Sequence, residues 1–183
     1  MKILLLSCCA PCCCAVIEKM AREGYDFAVA FYNPNIVPAA EYEKRREENR
    51  RLCEGRKIPF IELEYDNERW RNLIKGLENE PERGRRCFYM RLKRVMEYAR
   101  ENGFDAVASV LGVSRYKDLA QVNRAAQKAS AECGVPYVEI EGRKGGMQDR
   151  RQLLIRELGL YAQDYCGCKP RVRETADKKT PEL

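Results

Sequence analysis

The 183-residue sequence predicts an α/β domain built on a doubly wound parallel sheet. Three observations carry that expectation. Short apolar runs recur along the chain, helical stretches separate them, and five of the ten cysteines crowd into seven residues at the first strand-to-helix junction. The strand-like runs are Lys2 to Leu6, Phe27 to Tyr32, Pro59 to Glu64, Ala106 to Leu111 and Pro136 to Ile140. The first helix is expected from Pro11, favoured in a first helical turn, along the apolar face Ala15, Val16 and Met20 to Gly24. A second, rich in Glu, Lys and Arg, is expected over Ala40 to Glu54. A third runs from Cys87 to Glu101, with Phe88, Leu92, Val95, Met96 and Ala99 at helical spacing. Tyr116 to Cys133 repeats the pattern, Gly142 to Gly146 reads as a loop, and Asp149 to Glu157 as a short last helix. Residues 1–169 are expected to form one domain and residues 170–183 a polar tail with little part in the core.

Composition narrows the function. The start has only a short apolar run before the cysteines, too short for a signal peptide or a membrane span, so a cytoplasmic protein is expected. Ten cysteines in such a chain suggest metal binding or redox chemistry rather than a disulfide scaffold. Histidine is absent, which excludes Cys/His zinc sites, Ser-His-Asp and Cys-His hydrolases and Rieske-type ligation. The net charge of +6 suits a phosphate-bearing partner but equally suits a solvated surface.

The run Cys8-Cys9-Ala10-Pro11-Cys12-Cys13-Cys14 is the strongest signal. It sits where open α/β sheets bind ligands, and a helix N-terminus favours thiolates. Adjacent cysteines diverge, so Cys8 and Cys9 suit two irons of a cluster, or a cluster and a neighbouring ion. Cys166-Gly167-Cys168 places two thiols around a sharp turn, and a last loop can reach the same strand ends. Cys87, after the basic stretch Arg83-Gly84-Arg85-Arg86, could reach them too. Cys53 and Cys133 read as packing residues. Phe31-Tyr32-Asn33-Pro34-Asn35-Ile36 reads as a turn or a ligand wall, and Ser114 to Asp118 as a helix cap or an anion contact. Arg83, Arg85, Arg86, Arg143 and Lys144, in expected loops, are candidates for contacts to a phosphate-bearing partner.

Taken in order, these motifs, with Glu41-Tyr42-Glu43-Lys44-Arg45, Glu80-Pro81-Glu82-Arg83-Gly84 and Tyr161-Ala162-Gln163-Asp164-Tyr165, resemble the cobalamin-independent epoxyqueuosine reductases of the QueH type, from Lys2 to Cys168. The resemblance implies a fold akin to the adenine-nucleotide alpha-hydrolase (HUP-like) group and reduction of epoxyqueuosine in tRNA. It also implies a 4Fe-4S iron-sulfur cluster, an adjacent iron ion and an external electron donor. Cys8, Cys9, Cys12, Cys87, Cys166 and Cys168 would then be metal ligands. Asp164, Tyr32 and Tyr161 become candidate acids, and Asn33, Asn35, Tyr42, Arg45, Arg86, Arg115 and Lys117 candidate substrate contacts.

Three departures stand out. Leu6-Ser7 replaces the family's His-Thr, and Val37 replaces a His. A Cys-x-x-Cys is reduced to Cys87 alone before Phe88-Tyr89-Met90-Arg91-Leu92. Cys13 or Cys14 replaces that thiol, or one iron stays open, or the adjacent ion is not bound. Two other readings remain at this level: a different iron-sulfur enzyme on the same fold, and a non-catalytic metal-holding RNA-binding module.

Overall fold

A computed structural model describes residues 1–77, 81–115, 117–163 and 165–168. Five parallel strands form one sheet in the order β3-β2-β1-β4-β5. They are β1 (Lys2–Ser7), β2 (Asp26–Phe31), β3 (Phe60–Glu62), β4 (Ala106–Ser109) and β5 (Tyr137–Val138). β1 is central because Ile3, Leu4, Leu5 and Leu6 are buried on both faces, as a parallel strand covered by helices on each side must be. It pairs with β2 along its whole length and with β4 from Ile3 to Leu6. The winding reverses on either side of β1, which opens a crevice at the carboxyl ends of the strands.

Among the described residues six helices wrap the sheet: α1 (Ala10–Arg22), α2 (Ala39–Glu54), α3 (Asn67–Ile74), α4 (Pro81–Glu101), α5 (Leu119–Cys133) and α6 (Met147–Glu157). The doubly wound parallel class expected from sequence is the one observed. None of the described helices is long and apolar enough to cross a membrane.

Local details differ from the sequence reading. α3 was not anticipated: its eight residues carry only Trp70, Leu73 and Ile74 as large apolar side chains. Asp66 starts it by accepting from the Arg69 backbone N–H at 3.3 Å. α4 begins at Pro81 rather than Cys87, so Arg83, Gly84, Arg85 and Arg86 are helical and not a loop. Gly84 lies inside the helix where it passes close to α5: a Cβ would lie 3.0 Å from Gln121 Oε1, the movable end of that side chain. The edge strands β3 and β5 are shorter than expected, and α5 starts at Leu119, where Asp118 accepts from the Ala120 and Gln121 N–H groups. The polar tail, residues 170–183, lies outside the described residues.

Candidate metal centre

The chain turns sharply between β1 and α1, and Cys9 caps the helix in an extended conformation with its carbonyl accepting from the Cys12 and Cys13 N–H groups at 3.1 Å. The turn gathers the Sγ atoms of Cys8, Cys9 and Cys12 within 4.8 Å of one another, all buried. Cys87, in the second turn of α4, and Cys166 and Cys168 line a cavity of about 300 Å³ at the same end of the sheet. Lys117 joins the two groups: it lines that cavity, and its Nζ lies 3.6 Å from Cys8 Sγ.

Cys166 and Cys168 are delivered by a strap, described over residues 161–163 and 165–168, docked on α2. The Tyr161 backbone N–H donates to Glu48 at 2.8 Å and its hydroxyl to Glu41 at 2.9 Å, while Lys44 Nζ lies 3.6 Å from the centre of its ring. The buried guanidinium of Arg45 donates to the Tyr165 and Cys166 carbonyls at 3.0 and 3.2 Å, and to Glu41 at 2.6 Å. Val37 N–H donates to the Gly167 carbonyl at 2.8 Å, and the Tyr165 hydroxyl returns a bond to the Val37 carbonyl at 2.9 Å. Gly167 has φ +111, and a Cβ there would meet Ile36 Cγ1 at 2.9 Å. The turn between the two cysteines therefore requires glycine. Gln163 adds a bond from Nε2 to Cys9 Sγ at 2.7 Å, which ties the strap to the first thiol group.

A buried polar chain holds these parts in register. Asn33 donates to the Ser7 carbonyl at 2.9 Å and accepts from Arg91; Ser7 Oγ donates to Asn49 at 2.6 Å; Asn49 donates to the Arg45 carbonyl at 2.7 Å. This network runs from α4 through the ends of β2 and β1 to α2 and the strap. With its groups satisfied, it fixes one arrangement of the loops around the thiols.

Charge at the site is shared among sulfurs and two buried cations. Hydrogen bonds from Cys12 and Cys9 outweigh burial and hold Cys8 well below the usual thiol range, with Lys117 and Arg91 reinforcing them. The Cys168 thiol does the same for Cys166, which is lowered to about 5. The donors are raised in turn. Cys12 is raised because its proton is held by Cys8 and Cys9 and by burial. Cys9 gains from a Cys12 hydrogen bond, but its bond to Cys8 and its burial push it up to about 12. Cys168 is raised by its bond to Cys166. Burial works to lower Lys117, and the sulfurs of Cys8, Cys166 and Cys12 more than offset it, so its ammonium is favoured. Thiolates converging beside buried cations form a donor set suited to soft metals.

The other candidates fall into distinct places. Asn35 and Lys117 line the cavity. Asn33 is committed to Ser7 and Arg91, and Arg45 to the strap, so both position the site from within the protein. Tyr42 packs in a separate apolar cluster, stacked on Tyr65 at 4.0 Å. Tyr32 is buried with its hydroxyl unpartnered, and burial pushes it up to about 12; the charged groups acting most on it are Glu64, Arg69, Asp66 and Arg94, not thiols. Tyr161 anchors the foot of the strap. Arg86 is exposed and bonds the Leu73 carbonyl at 3.3 Å, and Arg115 is exposed outside the cavity lining. Asp164 lies outside the described residues.

Arg143, a candidate phosphate contact from sequence, latches the Lys117 loop: it donates to the carbonyls of Gly112, Ser114 and Lys117. Cys13 is fully buried, with Cys53 and Ser7 among the groups acting on its thiol, and Cys14 Sγ donates to the Pro11 carbonyl at 3.5 Å. Neither belongs to the close thiol group of Cys8, Cys9 and Cys12. Leu6 is buried in the sheet, and the Val37 contacts to the strap use its backbone, so they do not depend on its side chain. Sequence reasoning missed Arg91, Asn49 and Trp70; the last is the only tryptophan in the chain, a signal that was available.

Comparison with known proteins shows the fold and the family. A crystal structure described as a predicted subunit of tRNA methyltransferase from Methanocaldococcus jannaschii superposes with a TM-score of 0.50 over 87% of this chain and 89% of that chain. At 12% identity, that likeness shows the fold alone. The family model for epoxyqueuosine reductase QueH matches residues 3–173. The chain is 45% identical to the Histophilus somni epoxyqueuosine reductase QueH, over 95% of this chain and 73% of that protein. It is 43% identical to the one from Acinetobacter baylyi, over 95% and 82% of the two. A shorter relative from Thermotoga maritima is 32% identical over 96% of this chain and 93% of its own length. With the thiols gathered at the strand ends and the match running from the first strand through the strap, the chain belongs to the epoxyqueuosine reductase QueH family of oxidoreductases.

Proposed function

We propose that this chain performs its family's reaction at the thiol cavity, reducing epoxyqueuosine to queuosine at the wobble position of tRNA, in the cytoplasm and with electrons from an external donor. The observation that carries the reading is the convergence of Cys8, Cys9 and Cys12 with Cys87, Cys166 and Cys168 at one end of the sheet. An all-sulfur donor set beside two buried cations fits a 4Fe-4S cluster, with thiols left over for an adjacent iron. When bound, such a group supplies the two electrons that the reaction consumes along with two protons, converting the epoxide to an alkene and releasing water.

The chain's own residues supply the rest. Lys117 presents N–H donors at the wall between the two thiol groups, where the departing oxygen needs hydrogen bonds. Arg91 adds a fixed positive charge behind it, held by the Tyr32 carbonyl at 3.3 Å and by Asn33. Phe88 and Trp70 line the same cavity and keep it partly apolar, which strengthens both electrostatic effects.

The test is anaerobic purification with iron and sulfide analysis, followed by mass spectrometry of nucleosides from epoxyqueuosine-bearing tRNA incubated with the chemically reduced protein. Queuosine is the expected product. A colourless zinc protein without sulfide, or a loaded and reducible cluster that leaves the substrate unchanged, overturns the reading.

A further inference from the structure

Two of the residues that line the thiol cavity each carry a buried polar atom without a partner, as Gln163 does on the strap. The indole Nε1 of Trp70 and the amide Oδ1 of Asn35 are both buried without a hydrogen-bond partner, on side chains of residues 3% and 2% exposed. Around them, Asn33, Asn49, Ser7 and Arg45 are all bonded. Buried donors and acceptors are normally paired, and a native exception calls for an explanation. Trp70 projects from α3 and Asn35 from the loop after β2, so two separate elements bring an orphan donor and an orphan acceptor to one cavity of about 300 Å³. Cys87, Cys166, Cys168 and Lys117 line it with them.

We infer that Trp70 and Asn35 form a recognition pair for a hydroxyl on the ring that carries the epoxide, the indole N–H donating to the hydroxyl oxygen and the amide oxygen accepting its proton. A hydroxyl is both donor and acceptor, so one such group seated between the two side chains would satisfy both orphans. A bare hydrocarbon ring would leave both unpaired, and sites built this way reject analogues that lack the polar group. The inference rests on the proposed placement of epoxide reduction in this cavity.

The experiment compares an epoxide-bearing anticodon stem-loop with an otherwise identical one whose ring lacks the hydroxyls, using the iron-loaded full-length protein and its Trp70→Phe and Asn35→Ala variants. Wild type is expected to favour the hydroxylated substrate in kcat/KM, and each variant to lose about 10-fold of that preference, the equivalent of one hydrogen bond, chiefly through KM. Trp70→Phe keeps an aromatic ring in place, and Asn35→Ala provides an independent reading should the first variant fail to fold. Because Trp70 is the only tryptophan, wild-type emission should also change when the queuosine-bearing stem-loop binds. An unchanged preference in a folded variant, or unchanged wild-type emission on binding, overturns the pair. A wild-type protein that reduces neither stem-loop while its cluster is loaded and reducible overturns the cavity assignment itself, and the pair with it.

Discussion

Arg45→Met removes a guanidinium that is 2% exposed and leaves a side chain of similar length in its place. Three bonds disappear: to the Tyr165 carbonyl, the Cys166 carbonyl and Glu41. Bonds from a charged donor are worth about 1.5–3 kcal/mol each, so the two strap contacts together carry about 3–6 kcal/mol. Breaking a buried ion pair by removing one partner costs about 3–5 kcal/mol, and the two estimates overlap near 4 kcal/mol. For a chain of this size that is a fall in melting temperature of about 8–16 °C. Glu41 keeps its bond from the Tyr161 hydroxyl, so the foot of the strap should hold while its tip loosens. Iron retention should fall, since Cys166 and Cys168 ride on that tip. The control is Arg46→Met on the same helix, whose side chain is 27% exposed and pairs with Glu43 and Glu62 near the surface, a loss of about 0–1 kcal/mol. The assays are thermal melting by circular dichroism and iron per chain after anaerobic purification. An Arg45→Met protein that melts with the Arg46→Met control and keeps its full iron would refute the strap as the carrier of the last two thiols.

Gly167→Ala should cost about 1–2 kcal/mol and lower iron retention, because a Cβ at φ +111 is strained and meets Ile36 Cγ1 at 2.9 Å; wild-type iron content and melting would contradict it. Cys13→Ala and Cys14→Ala should keep wild-type iron, sulfide and absorption spectrum while Cys12→Ala loses them, and a loss with Cys13→Ala would return that thiol to the ligand set. Glu18 joins α1 to α6 through Arg150 at 2.6 Å, and that bond holds its carboxyl below the ordinary value against opposing burial. A carboxyl lowered on folding stabilises fully above its unfolded value of about 4.3, and the contribution fades as pH falls through the folded value. Denaturant titrations from pH 6 to pH 3 should therefore show a smaller loss of stability for Glu18→Gln than for wild type, and parallel curves would exclude the linkage.

The strands and most helices were legible because their burial is written in runs: Ile3 to Leu6 and Phe27 to Phe31 are almost wholly apolar, and α5 keeps Val122, Ala126 and Ala129 on one face. The thiols were legible because five cysteines fall in seven residues of a histidine-free chain, although only packing shows that three of them converge. What escaped was polar and buried. Arg45 and Arg91 carry the same letter as the surface arginines around them, and only the packing shows that their donors meet backbone carbonyls and buried side chains. The contacts of Arg143 escaped for the same reason. α3 escaped because eight residues offer too few turns for periodicity to register, and the start of α4 because Gly84 looks like a loop residue until α5 is seen against it.

The strap also sets an order of assembly. Cys8, Cys9 and Cys12 leave the ribosome more than 150 residues before Cys166, and chains fold from the N-terminus as they emerge. The sheet can pair β1, β2 and β4 while Cys166 and Cys168 do not yet exist. Only when Arg45 captures the Tyr165 and Cys166 carbonyls do the late thiols meet the early ones, so the metal binding proposed for them would report that synthesis has passed the strap. A chain cut before Tyr165 would keep the strands of the sheet and lose the two thiols that the strap delivers.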